Sequence, residues 1–288
     1  MTKAFVVTPP DASFGELPDA QGYLERMAKP LQEKLRMGFL IPPGAKTVLD
    51  AGCADGTVTI AMAEMFPHIQ FLGIDLDENF IEIARERSKH LKNVRFQCVY
   101  LRQLLLRKKR YDCVQFCSVL HEFFQYGEGI SSVLKALADA HELLNEGGVI
   151  NIRDMFLDRV STESDLRVAG MRSKVLARCD QQQVRDFTDT FGAFESLYTL
   201  NHFLLKYMYT DNWKRECAEH YVGVFAEEIL EMLALLGMRH QYRRSYTIPF
   251  LEEKWTTDFG FTAEEIAALR STTIISARKE PKRIRGVR

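Results

Sequence analysis

The chain has 288 residues, 46% of them hydrophobic and 27% charged, with a formal net charge of −1. That size buries one large α/β core, or one core with a modest appended unit. The balanced charge excludes a whole-molecule field for nucleic acid or membrane, and nowhere do about 18 apolar residues run uninterrupted, so no membrane partner and a cytoplasmic location are expected.

Residues 1–19 carry Pro9, Pro10, Gly15 and Pro18 and read as an arm without regular structure. From Gly22 to Phe39, residues Leu24, Met27, Leu31, Leu35 and Phe39 fall near helical spacing, which predicts an amphipathic helix packed beside a ligand mouth and ended by Pro42-Pro43-Gly44. Strands are expected at 47–50, 69–75, 93–99, 111–117 and 148–153, separated by helices at 56–66, 77–90 and 130–144. This alternation predicts a doubly wound, mostly parallel sheet. After Asp154 it stops for about seventy residues, far longer than an ordinary connection. The segment 155–221 is helical in pieces and rich in rings, among them Phe187, Phe191, Phe194, Tyr198, Phe203, Tyr207, Trp213 and Tyr221. It reads as an insertion that either folds over the strand ends as a lid or packs its rings into a small subdomain core. Alternation resumes with AEEILEMLALLGM, whose Ile229, Leu230, Leu233 and Leu236 share a face and whose Gly237 is a stop. Two strand-like runs, 243–250 and 271–279, close the chain. The expected division is an arm and helix (1–44), a core (45–154), an insertion (155–221), the end of the core sheet (222–280) and a basic tail (281–288).

The stretch Val48-Leu49-Asp50-Ala51-Gly52-Cys53-Ala54-Asp55-Gly56-Thr57 is a hydrophobic strand running into a glycine turn, and Asp75 ends the next strand. Gly52 and Gly56 suit positive φ or close approach of a ligand, and Asp75 is placed to accept from both hydroxyls of a ribose. The turn lacks the G-x-G-x-x-G of a pyrophosphate loop, and Asp50 and Asp55 flank it with negative charge. Those carboxylates oppose a dianion and suit a cationic sulfonium nucleoside.

These residues resemble the class I S-adenosylmethionine-dependent methyltransferases, well over roughly Lys46 to Asp154 and more loosely over Tyr221 to Lys279. VLDAGCADGT is similar to the family's first motif, with Ala54 where a third glycine is common, and GIDLDENFIEIARERS to its second. YDCVQFCSVLHEF resembles the fourth strand and its loop, and HELLNEGGVINIRD the helix, glycine turn and fifth strand. The resemblance implies a seven-stranded Rossmann-like sheet with a closing antiparallel pair and S-adenosylmethionine as cofactor. It implies backbone contacts to the methionine end from Cys53 and Ala54, a cofactor floor at Cys117 and Ser118, and Asp75 with Leu76 at the ribose. Where the family often has an Asp on the adenine amine this chain has Tyr100, so the adenine contact falls to the backbone or ring of Tyr100 or to Leu101.

Methyl transfer is an in-line displacement accelerated by alignment, and a hydroxyl acceptor also wants a base. His121 follows the fourth strand and is the leading candidate base, with a pocket-wall role as its structural alternative; Glu122 and Asp154 are second-rank bases or substrate anchors. A small molecule bearing an oxygen or nitrogen nucleophile is the expected acceptor. Nucleic acid is the alternative, because Lys206, Lys214 and Arg215 alternate with rings in LLKYMYTDNWKRE and the tail is KRIRGVR. A non-catalytic cofactor-binding protein and an NAD-dependent dehydrogenase are further alternatives. The six cysteines have no C-x-x-C spacing and read as reduced thiols, with no metal site expected. Oligomeric state is not fixed by the sequence; a homodimer would meet through the N-terminal helix and the insertion.

Overall fold

Residues 30–281 are described by a computed structural model. The strands are β1 (Thr47–Ala51), β2 (Gln70–Asp75), β3 (Val94–Cys98), β4 (Tyr111–Cys117), β5 (Leu144–Asp154), β6 (Met238–Tyr246) and β7 (Thr272–Lys279). They form one sheet in the order β3-β2-β1-β4-β5-β7-β6. β1 through β5 run parallel, and β7 is antiparallel to both β5 and β6. β1 therefore sits where the winding reverses, with β2 on one side and β4 on the other, and the crevice beyond their carboxyl ends is where open α/β sheets bind ligands.

The helices are α1 (Leu31–Leu35), α2 (Thr57–Met65), α3 (Glu78–Arg87), α4 (Leu120–Gln125), α5 (Ile130–Leu143), α6 (Arg167–Leu176), α7 (Gln181–Phe191), α8 (Leu197–Leu204), α9 (Trp213–Ala218), α10 (Ala226–Leu235), α11 (Pro249–Phe259) and α12 (Ala263–Ala268). Side chains alternate across the pleat, so each strand feeds two cores. Val48, Phe71, Cys113 and Val149 pack under α2 and α3, while Leu49, Leu72, Val114 and Ile150 pack under α5 and α10. α3 starts at Asp77, whose carboxylate accepts from the Asn79 and Phe80 amides. That assignment leaves Asp75 without the capping duty its position near a helix start suggests.

A third core lies over the strand ends. It joins residues of the insertion, among them Phe187, Phe194, Leu200, Phe203 and Tyr221, to Ile248, Leu251, Trp255, Phe259, Phe261 and Leu269 from the β6–β7 connection. This subdomain is thus built from two chain segments. Pro249 in the first turn of α11 and the Thr262–Glu265 capping box of α12 explain why the second segment is helical.

Three expectations need correction. The run 243–250 is strand only to Tyr246, because Pro249 cannot extend a central ladder and opens α11 instead. Of the helix expected at 22–39, the described part is α-helical over Leu31–Leu35 and tightens into a 3₁₀ turn from Arg36. The change of period rotates Phe39 outward, to 83% exposure, in place of the buried face its spacing predicts. The expected 1–19 arm, the first part of the helix and the tail beyond Pro281 lie outside the described residues.

Candidate active site

The crevice starts at the turn after β1. Gly52 and Gly56 both have φ of +75°, and a Cβ on Gly52 would meet Val119 Cγ2 at 2.3 Å. Packing within the protein therefore already demands glycine at position 52, before any ligand is considered. Ala54 and Ser118, at the ends of β1 and β4, also have positive φ without being glycine. Strain of that kind gathers where the surrounding structure imposes a shape on a site.

The amide hydrogens of the turn are spent inside the protein. Gly52 and Cys53 both donate to the Ile74 carbonyl, Ala54 to Asp75 Oδ2 at 2.8 Å, Gly56 to the Cys53 carbonyl and Thr57 to Asp55. A pyrophosphate loop needs such donors unspent. These five amides therefore offer a pyrophosphate no donor, which weighs against a dinucleotide alongside charge. The charge argument itself changes: Asp55 is paired with Arg87 and Thr57, so it turns away from the crevice. The Cys53 side chain is buried in the core between the sheet and α2, leaving only its backbone toward the turn.

What the crevice does present is carboxylates. Asp50 is 1% exposed, accepts from Thr59 Oγ1 at 2.5 Å through one oxygen and has no partner on the other. Burial pushes its carboxyl up to about 6 against the opposing pull of the Thr59 hydroxyl. Asp75 Oδ1 accepts from the Leu76 and Asp77 amides at 2.7 and 3.1 Å, so three backbone donors orient this carboxylate, and burial still raises it. Glu122 on α4 is pushed up to about 7 by burial, with the His121 charge opposing and the Asp75 charge assisting. Three acids whose ionised forms are disfavoured by burial make a site that a bound cation stabilises. Tyr100 and Leu101 begin the 3₁₀ turn after β3, with Leu101 buried and Tyr100 half-buried, and Leu76 is exposed at the end of β2. Cys117 ends β4 in a buried position, and the Ser118 amide donates to the Arg153 carbonyl at 2.6 Å.

The candidate catalytic residues come together on the other face of β4 and β5. His121 Nδ1 lies 2.8 Å from Asp154 Oδ1, and Asp154 also accepts from the Leu120, His121 and Met155 amides. Asp154 is 0% exposed and both its oxygens accept hydrogen bonds from His121 and neighbouring amides, a position suited to orienting the imidazole. Burial alone would lower the His121 value; the charge and hydrogen bond of Asp154, with Glu122 and Glu219 beyond, lift it to about 9. The same contact holds Asp154 below the usual carboxylate range despite its burial. Tyr221 of the insertion packs edge-on to the His121 ring at 5.6 Å between centroids. Its hydroxyl donates to buried Glu216.

Two residues of this region were missed from the sequence. Lys34 on α1 is 5% exposed and lies within electrostatic reach of Cys117, Arg153, Asp55 and Asp50. Arg153 on β5 is 4% exposed and donates to the Ser118 and Thr272 hydroxyls. The signal for Arg153 was a charged residue inside an otherwise apolar strand. The rings of the insertion are mostly core: Phe187, Phe194 and Phe203 are all within 2% of full burial. Lys206 is 0% exposed, donates to the Glu219 carbonyl and stands 4.4 Å from the Phe191 ring centroid, while Arg215 is paired with Glu219. Of the basic residues expected for nucleic acid, Lys206 is buried and Arg215 is paired with Glu219, while Lys214 is exposed.

A family profile described as a methyltransferase domain matches residues 49–150. Residues 49–150, about a third of the chain, are similar to that methyltransferase domain. A malonyl-[acyl-carrier protein] O-methyltransferase of Bacillus cereus is 31% identical over 90 residues, 31% of this chain and 31% of that protein. The chain thus matches under a third of the length of such curated relatives. An O-methyltransferase family protein from Burkholderia thailandensis shares the fold with a TM-score of 0.54 and 11% identity, over 96% of this chain and 66% of that one. The [4+2]-cyclase SpnF does so at 0.51 and 16%, over 95% and 85%. These likenesses establish the fold of the methyltransferase domain and its neighbours alone.

Proposed function

We propose that the protein is an S-adenosylmethionine-dependent methyltransferase acting on a small molecule through an oxygen or nitrogen atom. The observation that carries this is the combination, in a methyltransferase domain, of a crevice lined by buried acids whose turn has five of its amides already engaged and a buried His121–Asp154 pair at the adjacent strand ends. The crevice fits the cofactor: Asp75 would take the ribose, Tyr100 and Leu101 the adenine, and the acids would favour its positive charge. When bound, S-adenosylmethionine supplies an activated methyl group. Asp154 fixes the imidazole by Nδ1, so Nε2 is the atom left to take the acceptor's proton. At pH 7 the ring stands protonated in the resting protein, and a neighbouring cation pulls its value down toward neutrality. Glu122 is a second proton acceptor, and Tyr221 with the lid keeps water from the ring. A proton acceptor suits a hydroxyl oxygen as the nucleophile, and the Bacillus cereus relative is likewise an O-methyltransferase.

The test is incubation of the purified protein with methyl-labelled S-adenosylmethionine and a cell extract split into an ultrafiltrate and an RNA fraction. Label appearing in the ultrafiltrate is the expected result. Label confined to RNA, or no transfer beside tight S-adenosylhomocysteine binding, overturns it.

A further inference from the structure

The methyl donor is a zwitterion at its amino-acid end, and the turn after β1 has no spare amide among the five named above for that carboxylate. Cations must supply what the turn does not. Lys34 is buried on α1, and no hydrogen bond or ion pair to another described residue engages its ammonium. Leu31 and Leu35 of α1 pack against the core that holds Cys53 and Cys117, and the charges that act on Lys34 belong to Cys117, Arg153, Asp55 and Asp50, so α1 sets this lysine near the carboxyl ends of β1, β4 and β5. Arg153 shares that position, and its Nε has no partner while its other nitrogens reach only hydroxyls. Lys34 and Arg153 are thus neighbouring buried basic groups, neither in an ion pair with a described residue, close to an Asp50 oxygen that is itself unpaired, and burial disfavours the charged form of the lysine. Leaving buried charges so is costly unless a ligand completes the set. α1 is held there by its own contacts, since Glu33 accepts from Tyr246 at the end of β6 and pairs with Arg36.

We infer that Lys34, with Arg153, binds the α-carboxylate of the donor's amino-acid moiety, and that Asp50 faces its ammonium. This rests on the methyltransferase proposal. It makes α1 a part of the binding site, so that the nucleoside is recognised by the core and the amino acid by the segment preceding it.

The test compares S-adenosylhomocysteine with 5′-methylthioadenosine, which lacks the amino-acid moiety, by calorimetry on the full chain. Lys34→Met should weaken S-adenosylhomocysteine binding roughly 10-fold to 100-fold, the worth of a charge-assisted contact, and leave methylthioadenosine unchanged. Equal binding of S-adenosylhomocysteine by variant and wild type, or an equal loss of both ligands, overturns the inference while leaving the methyltransferase proposal standing. A wild-type protein that binds neither ligand overturns both. If Lys34→Met does not fold, Lys34→Gln, which keeps a polar end, carries the same comparison.

Discussion

A single carboxylate shows how structure and ligand compete for the same atoms. Asp75 anchors three backbone amides, which explains why it holds one orientation, and it retains acceptor capacity for a hydroxyl. Asp75→Ala is expected to weaken S-adenosylhomocysteine binding by roughly 2 to 4 kcal/mol, about two charge-assisted hydrogen bonds. Calorimetry checks this, and unchanged affinity would leave Asp75 as a brace for Ala54 only. The His121–Asp154 contact makes a second claim that pH can test. His121 titrates near 9 in the folded protein against 6.5 ordinarily, so the folded state binds the extra proton between those values. The stability this contact gives is full below pH 6.5 and is lost as pH rises through about 9. In Asp154→Asn the stability deficit should therefore shrink as pH rises from 6.5 to about 9 and level off above, and the rising limb of kcat/KM should move to lower pH as the imidazole returns toward 6.5. A rising limb that does not move would separate His121 from proton transfer.

Among the elements, the lid carries a group whose burial runs the other way. Lys206, enclosed by Phe187, Phe191 and Tyr221, is lowered from 10.5 to about 7 by burial, so between those values the unfolded chain binds the extra proton and stability rises with pH. Buried His202 and half-buried His220 are lowered as well, by burial and by the lysine. Lys206→Met removes the penalty of the ammonium and also the bond to the Glu219 carbonyl. Its stability relative to wild type should grow as pH falls from 10.5 to 7, by a few kcal/mol at most, and level off below. Denaturant unfolding across that range checks it, and a difference constant with pH would mean that the lysine stays charged in place. The insertion was legible as an interruption of strand–helix alternation and as a ring-rich segment. Its partner α11–α12 was not, because RRSYTIPF alternates as a strand would and so obscures the helix that starts at Pro249. Leu251, Trp255 and Phe259 nevertheless stand four apart, which is a helical signature.

For the molecule as a whole, the parallel core, the switch point and the closing antiparallel pair were all legible, since each is written as alternation and glycine turns over many residues. The site was legible where chemistry follows the strand ends, as at Asp75, His121 and Asp154. It was not legible where distant segments meet: Lys34 reaches the crevice from α1, and Arg87 neutralises Asp55 from α3, and neither pairing leaves a local mark in the sequence. That long-range assembly bears on cooperativity. The crevice is bounded by α1, by the ends of β1, β4 and β5, and by a lid drawn from two segments that share one core. A ligand that binds only the folded crevice stabilises it by about 2.7 kcal/mol at a hundredfold excess over Kd, which for a chain of this size raises Tm by roughly 5 to 10 °C. S-adenosylhomocysteine is expected to produce that shift in a single transition, and NAD none, because the five engaged amides of the turn offer a pyrophosphate no donor. Two transitions, of which only one moves with the nucleoside, would show that the lid unfolds on its own and that the crevice is complete without it.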